Sequence, residues 1–191
     1  INGDGSEQLA PAFIPKADEM RQNLADLCRR KGVEFDELPG NHDPKIKGPS
    51  YREFLDGSVF VHHGDAIYPT VSPWSREVWR HRRFIKEFML KHWSDDFGRE
   101  GRMEFARRLE LAIPQIPHPR YQSALMRLLM LFAWPPHRPF MVLKTWWEAP
   151  RKSLAWARRY APDARLVICG HFHRSLCWTG CDGRHAWFTG P

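Results

Sequence analysis

The chain of 191 residues is poor in several features that would each have fixed a class. Four cysteines, Cys28, Cys169, Cys177 and Cys181, are too few for a disulfide framework, and no C-x-x-C pair is present to hold zinc. They read as free thiols of a reducing compartment, although Cys177 and Cys181 flank a turn and could be neighbours. No apolar run approaches the roughly 20 residues that a membrane span needs. The longest, Ala124 to Trp134, is interrupted by Arg127 and stopped by Pro135-Pro136. A phosphate-cradling glycine loop, a serine nucleophile elbow, zinc-finger spacing, internal repeats and low-complexity linkers are also missing. No signal peptide is visible, and the chain is expected to be cytoplasmic, with peripheral membrane contact as an extension.

The length suits one domain with a sizeable core. Its charge of +7 is unevenly placed. Residues 74–160 hold 18 Lys and Arg against 8 Asp and Glu, with seven of the nine tryptophans, so the basic charge belongs to one middle segment. The flanks read as α/β. Met20, Leu24, Leu27 and Cys28 recur at helical spacing between Lys16 and Lys31, and Gly32 follows as a helix stop. Residues 33–38 alternate with period two, and strands are expected at 58–62 and 165–169. A hairpin is expected to join 175–179 to 185–189 across Asp182-Gly183. The middle reads as helices. Val78, Ile85, Phe88, Met89 and Trp93 form one stripe, and Met103, Leu109, Leu111 and Ile113 a second. Trp146, Trp147, Leu154, Trp156 and Ala157 form a third.

Four polar clusters each end a strand-like segment: Gly3-Asp4, Gly40-Asn41-His42-Asp43, His63-Gly64-Asp65 and Gly170-His171-Phe172-His173. All supply nitrogen or oxygen donors, and a glycine beside each lets the backbone turn sharply near an ion. A phosphate ester resists attack because its oxygens are anionic and its leaving group is poor. A pair of divalent ions meets both difficulties. Asp4 can bridge such a pair, and Asn41, His63, His171 and His173 can complete the shells. His42, beside a ligand but not itself counted as one, can protonate a leaving oxygen. The donors include no thiolate, which points to Mn, Fe or Zn.

In content and order these clusters resemble the calcineurin-like metallophosphoesterase superfamily, with a layout nearest its UDP-2,3-diacylglucosamine hydrolase-like members. That resemblance implies a two-sheet β-sandwich flanked by helices, formed by 1–73 and 161–191, with 74–160 as an inserted basic helical cap. It implies two divalent ions, Mn favoured. Asp4 would bridge them, Asn41, His63 and His171 would complete one shell, and His173 would serve the other. It also implies His42 as the catalytic acid and hydrolysis of a phosphomonoester, phosphodiester or pyrophosphate by a metal-bound hydroxide. Asn41 and Arg174 are expected to meet the substrate, a phosphorylated small molecule or a lipid-linked one. The sequence departs from the pattern in three places. No Asp-x-His element precedes Gly3-Asp4, so the chain is expected to begin in mid-strand and to stop before a last strand. Glu7 ends the Gly-Asp-x-x-Asp element, and His42 stands where the hydrolase-like members carry Arg.

The insert lies between His63 and Gly170, so both of its ends are expected back at the site, as a cap requires. Anionic membrane contact through the insert is the alternative partner, and nucleic acid is the weaker fit. The rival functions are therefore an anionic-surface binding module and a non-catalytic relative. His62 is expected to face away from His63, Asp43 to support a ligand from outside or to be a turn residue, and Asp65 either to orient a histidine or to cap the next segment.

Overall fold

The computed structural model describes residues 14–114 and 136–190. Asp4 and the apolar run 124–134 lie outside them. Helix α1 (Ile14–Arg30) matches the expected periodicity. It ends in a paired stop: Val33 N–H donates to Cys28 O at 2.9 Å, and Gly32 N–H to Arg29 O at 3.1 Å. The first bond requires Gly32 at φ +66°, where a side chain is strained, because that turn aims the next N–H back at the helix end.

Strands β1 (Tyr51–Phe54), β2 (Val59–His62), β3 (Leu166–Cys169), β4 (Leu176–Thr179) and β5 (His185–Phe188) form one open sheet in the order β1-β2-β3-β5-β4. β2, β3 and β5 run parallel, while β1 and β4 pair antiparallel at the edges. The mixed α/β class follows the sequence, as do β2, β3 and the hairpin. The segment 33–37 forms no strand, and only Leu38 makes a bridge. Period-two alternation specifies side-chain faces, but a strand also needs a neighbouring backbone to complete its ladder. The reverse happens at β1, whose Tyr-Arg-Glu-Phe pattern gave no signal. Pairing with β2 makes it a strand.

A parallel pair needs a crossover. The β2-to-β3 connection carries a 3₁₀ turn η1 (Asp65–Ile67) and helices α2 (Arg76–Arg80), α3 (Arg82–His92), α4 (Arg99–Ala112) and α5 (Arg138–Tyr160). The first expected stripe is broken at His81 into α2 and α3, with Ser75 capping α2 through a 3.0 Å bond from Val78 N. Leu111 of the second stripe is exposed. Strand polarity also corrects the expectation that both ends of the insert return to one place. Its first residues leave the carboxyl end of β2, but its last enter β3 at the opposite sheet edge, where Arg165 N–H donates to Ser58 O.

Buried residues of the sheet and of the helices form one cluster, including Phe60, Val167, Ala186, Phe188, Leu109, Leu154, Trp156 and Ala157. Phe60 is wholly buried, stacked on Tyr51 and tilted against Trp156. Full burial of such a side chain contributes about 2–3 kcal/mol. Pro150 lies inside α5 and lacks the N–H that would donate to the carbonyl four residues earlier, at Trp146. Buried residues concentrate beyond this point, whereas Phe140, Leu143 and Trp147 before it stay exposed. No described helix is long and apolar enough to cross a membrane.

Candidate metal centre

The carboxyl ends of β2 and β3 lie side by side because the strands are parallel and in register, His62 opposite Cys169. Such an edge is where α/β sheets bind ligands. His63 and His171 follow these two ends. The backbone locks the exits together, since Gly170 N–H and His171 N–H both donate to His63 O, at 2.8 and 2.9 Å. Gly64 makes the approach possible. At φ +111°, a Cβ there would stand 3.2 Å from Cys169 Cβ and 3.3 Å from His171 Cβ.

Three donor atoms converge at this edge. His63 Nε2 lies 3.0 Å from Asn41 Oδ1 and 3.0 Å from His171 Nδ1. All three residues are buried. The far side of His171 fixes its tautomer. His171 Nε2 is 3.2 Å from Val71 O and 3.4 Å from Ser72 Oγ, and a carbonyl only accepts. The proton therefore sits on Nε2, leaving the Nδ1 lone pair turned to the cluster, the arrangement that a metal-ligating imidazole requires. Val71 holds its carbonyl there from a left-handed backbone, φ +61°, which costs a β-branched residue about 1–3 kcal/mol.

Ligands 90° apart on a six-coordinate ion at about 2.1 Å stand about 3.0 Å apart. The cluster has that spacing, with two imidazoles and a carbonyl oxygen, so its donors fit a divalent ion of the Mn, Fe or Zn kind. Among the described residues no three His, Cys, Asp or Glu side chains gather at metal-binding range. The described portion of the site is thus two histidines and an asparagine.

Asn41 arrives on an irregular loop. Gly40 N–H donates to Asp43 Oδ1 at 2.7 Å and Ile46 N–H to Asp43 O at 3.1 Å, so buried Asp43 closes the turn, one of the two roles expected of it. Helix α4 grips the loop through Arg107, whose Nε donates to Pro44 O at 2.7 Å and Nη2 to Ile46 O at 3.4 Å. The same helix holds the η1 turn, because Arg102 Nη2 donates to Tyr68 O at 2.6 Å. Arg102 is itself buried over Trp93, and desolvation lowers its pKa to about 10.

The remaining expected residues fall around this cluster. His42, next to Asn41, is exposed. His173 is exposed in a left-handed turn, φ +48°, and makes no third with His63 and His171. Arg174 is exposed, with its guanidinium 5.8 Å from the Trp146 ring, and Trp146 Nε1–H donates to Phe172 O at 3.0 Å. Asp65 Oδ1 accepts from Ala66 N at 2.8 Å, at the start of η1. His62 points into the core, stacked on Trp156 at 4.7 Å, with Cys169 Sγ 3.3 Å from Nε2. Burial there pulls its pKa down to about 3, so it stays neutral at physiological pH, while burial pushes the Cys169 thiol up.

Val71, Ser72, Trp74, Arg102 and Arg107 were not legible as site residues. Trp74 covers one face of His171 at 5.0 Å. None of the five adjoins a glycine-punctuated donor, and two are arginines among many. The chain was compared with protein-family models, with curated proteins and with solved structures, and none matches it.

Proposed function

We propose that this protein is a metal-dependent phosphoesterase of the calcineurin-like kind, cleaving a phosphomonoester, phosphodiester or pyrophosphate bond. The observation that carries the proposal is the meeting of His63 Nε2, His171 Nδ1 and Asn41 Oδ1, drawn from three distant segments, at ligand spacing. In this reading Asn41, His63 and His171 would hold one ion, and Asp4, outside the described residues, and His173 would serve a second. The described sheet is one of two in a sandwich. When bound, the ions neutralise the ester oxygens and activate the attacking water. The chain itself does the rest. With Oδ1 of Asn41 turned to His63, its amide N–H₂ remains to donate to a phosphate oxygen. Exposed His42 delivers a proton to the leaving oxygen, and Arg174, braced by Trp146, pairs with the phosphate.

Hydrolysis of an aryl phosphate ester by the full-length protein with added Mn²⁺ tests this. His42→Ala is expected to lower turnover roughly 10²–10³-fold with bound metal unchanged. Loss of metal together with activity would make His42 a ligand and end its role as acid.

A second reading, an anionic membrane surface as partner, rests on α5. Phe140, Leu143 and Trp147 are 80, 61 and 73% exposed at spacings of three and four residues, so they share one face. Lys144 and Arg151 stand beside them, Arg151 over the Trp147 ring. Apolar and cationic groups together are what an interfacial helix offers a bilayer. Co-sedimentation is expected with phosphatidylglycerol vesicles, weakening with salt, and replacement of Phe140 and Trp147 by Ser should cost roughly tenfold or more. Equal binding to neutral vesicles, or none to anionic ones, removes this partner.

A further inference from the structure

We propose that Arg107 of α4 is a positioning residue that sets the metal affinity of the centre by fixing the loop that carries Asn41; this rests on the metal reading above. The loop 40–46 has no helix or strand to hold it. Pro39 and Pro44 lack an N–H for strand pairing and Gly40 leaves the backbone loose, while the loop's own bonds, Gly40 to Asp43 and Ile46 to Asp43, shape the turn without anchoring it to the sheet. The guanidinium supplies an anchor: its planar fork reaches two carbonyls of the far limb, Pro44 O at 2.7 Å and Ile46 O at 3.4 Å. The near limb carries Asn41, whose Oδ1 must stay 3.0 Å from His63 Nε2 for the donors to share an ion. Because Asp43 joins the two limbs, a displacement at Pro44 is passed to Asn41 through one closed turn. The backbones of His63 and His171 are fixed by strand ends, whereas the loop that carries Asn41 is held by a side chain from α4. Helix α4 thereby couples the basic crossover segment to the centre.

The test is metal affinity of the full-length protein, measured by competition with a chromogenic chelator for Mn²⁺ and Zn²⁺, alongside thermal unfolding of the metal-free forms. Arg107→Met is expected to weaken metal binding about 10–100-fold, the range for an outer partner of a ligand, with metal-free unfolding little changed. Arg107→Lys, which keeps one donor for Pro44 O, is expected to recover part of that loss. Exposed Arg108, replaced by Met, is expected to leave affinity unchanged. Wild-type affinity in Arg107→Met overturns the proposal while leaving the metal reading intact. So does a loss that follows unfolding and that Arg107→Lys does not recover, which marks a general structural role. Absence of metal binding in the wild type defeats the metal reading and this inference with it.

Discussion

His171→Ala is expected to abolish metal-dependent stabilisation and to lower phosphoesterase turnover by at least roughly 10²-fold, beyond what losing an outer-shell partner costs. The ring is buried and carries a fixed tautomer, with Nε2–H on Val71 O and Nδ1 turned to His63. Truncation removes the Nδ1 lone pair that meets His63 Nε2 at 3.0 Å, and water in the vacated volume would not be oriented. A ligand that binds only the folded state stabilises it by about 2.7 kcal/mol at a hundred times its dissociation constant. Mn²⁺ should therefore raise the unfolding temperature of the wild type and leave that of His171→Ala unmoved. His63→Ala should behave alike, since both imidazoles belong to one cluster. A full Mn²⁺ shift in both variants would show that these histidines hold no ion, and the proposed chemistry would fall with them.

Gly64→Ala is expected to destabilise the fold by about 2–4 kcal/mol and to weaken metal binding as well, although the change adds one methyl group. A side chain at φ +111° is strained wherever it sits, and here the added Cβ meets two neighbours at 3.2 and 3.3 Å. Both belong to the β3 exit, Cys169 and His171, and neither is the loose end of a flexible chain. Relief requires the β2 and β3 exits to part by a few tenths of an ångström, which separates His63 from His171. Chemical denaturation reads the first effect and chelator competition the second. A variant as stable as the wild type and with equal affinity would show that the exits are not held at contact distance by this residue.

How much of this was legible beforehand varied with the range of the interaction responsible. Helix α1 with its glycine stop and the hairpin were readable because each depends on neighbours within a few residues, and β2 and β3 because their short apolar, β-branched runs suit strands buried between parallel partners. The segment 33–38 misled because its alternation satisfies only half of what a strand needs. β1 was hidden because pairing with β2, not its own residues, makes it extended. The donors Asn41, His63 and His171 stood out through their glycines, and the parity of a strand told His62 from His63. The braces Arg102 and Arg107 did not stand out, since nothing local separates a buried or bridging arginine from the solvated ones around it.

The sequence by itself determined which residues carry nitrogen and oxygen donors, where the backbone can turn beside them, and which segment holds the positive charge. Only the tertiary structure decided that His63 and His171, 108 residues apart, meet at 3.0 Å. It also decided that Val71 O sets the tautomer and that α4 grips the Asn41 loop. The reason is physical: donor chemistry and turn preference reside in single residues and their neighbours. A shared coordination point depends on strand polarity and register, which are set by backbone bonds between segments far apart in the chain.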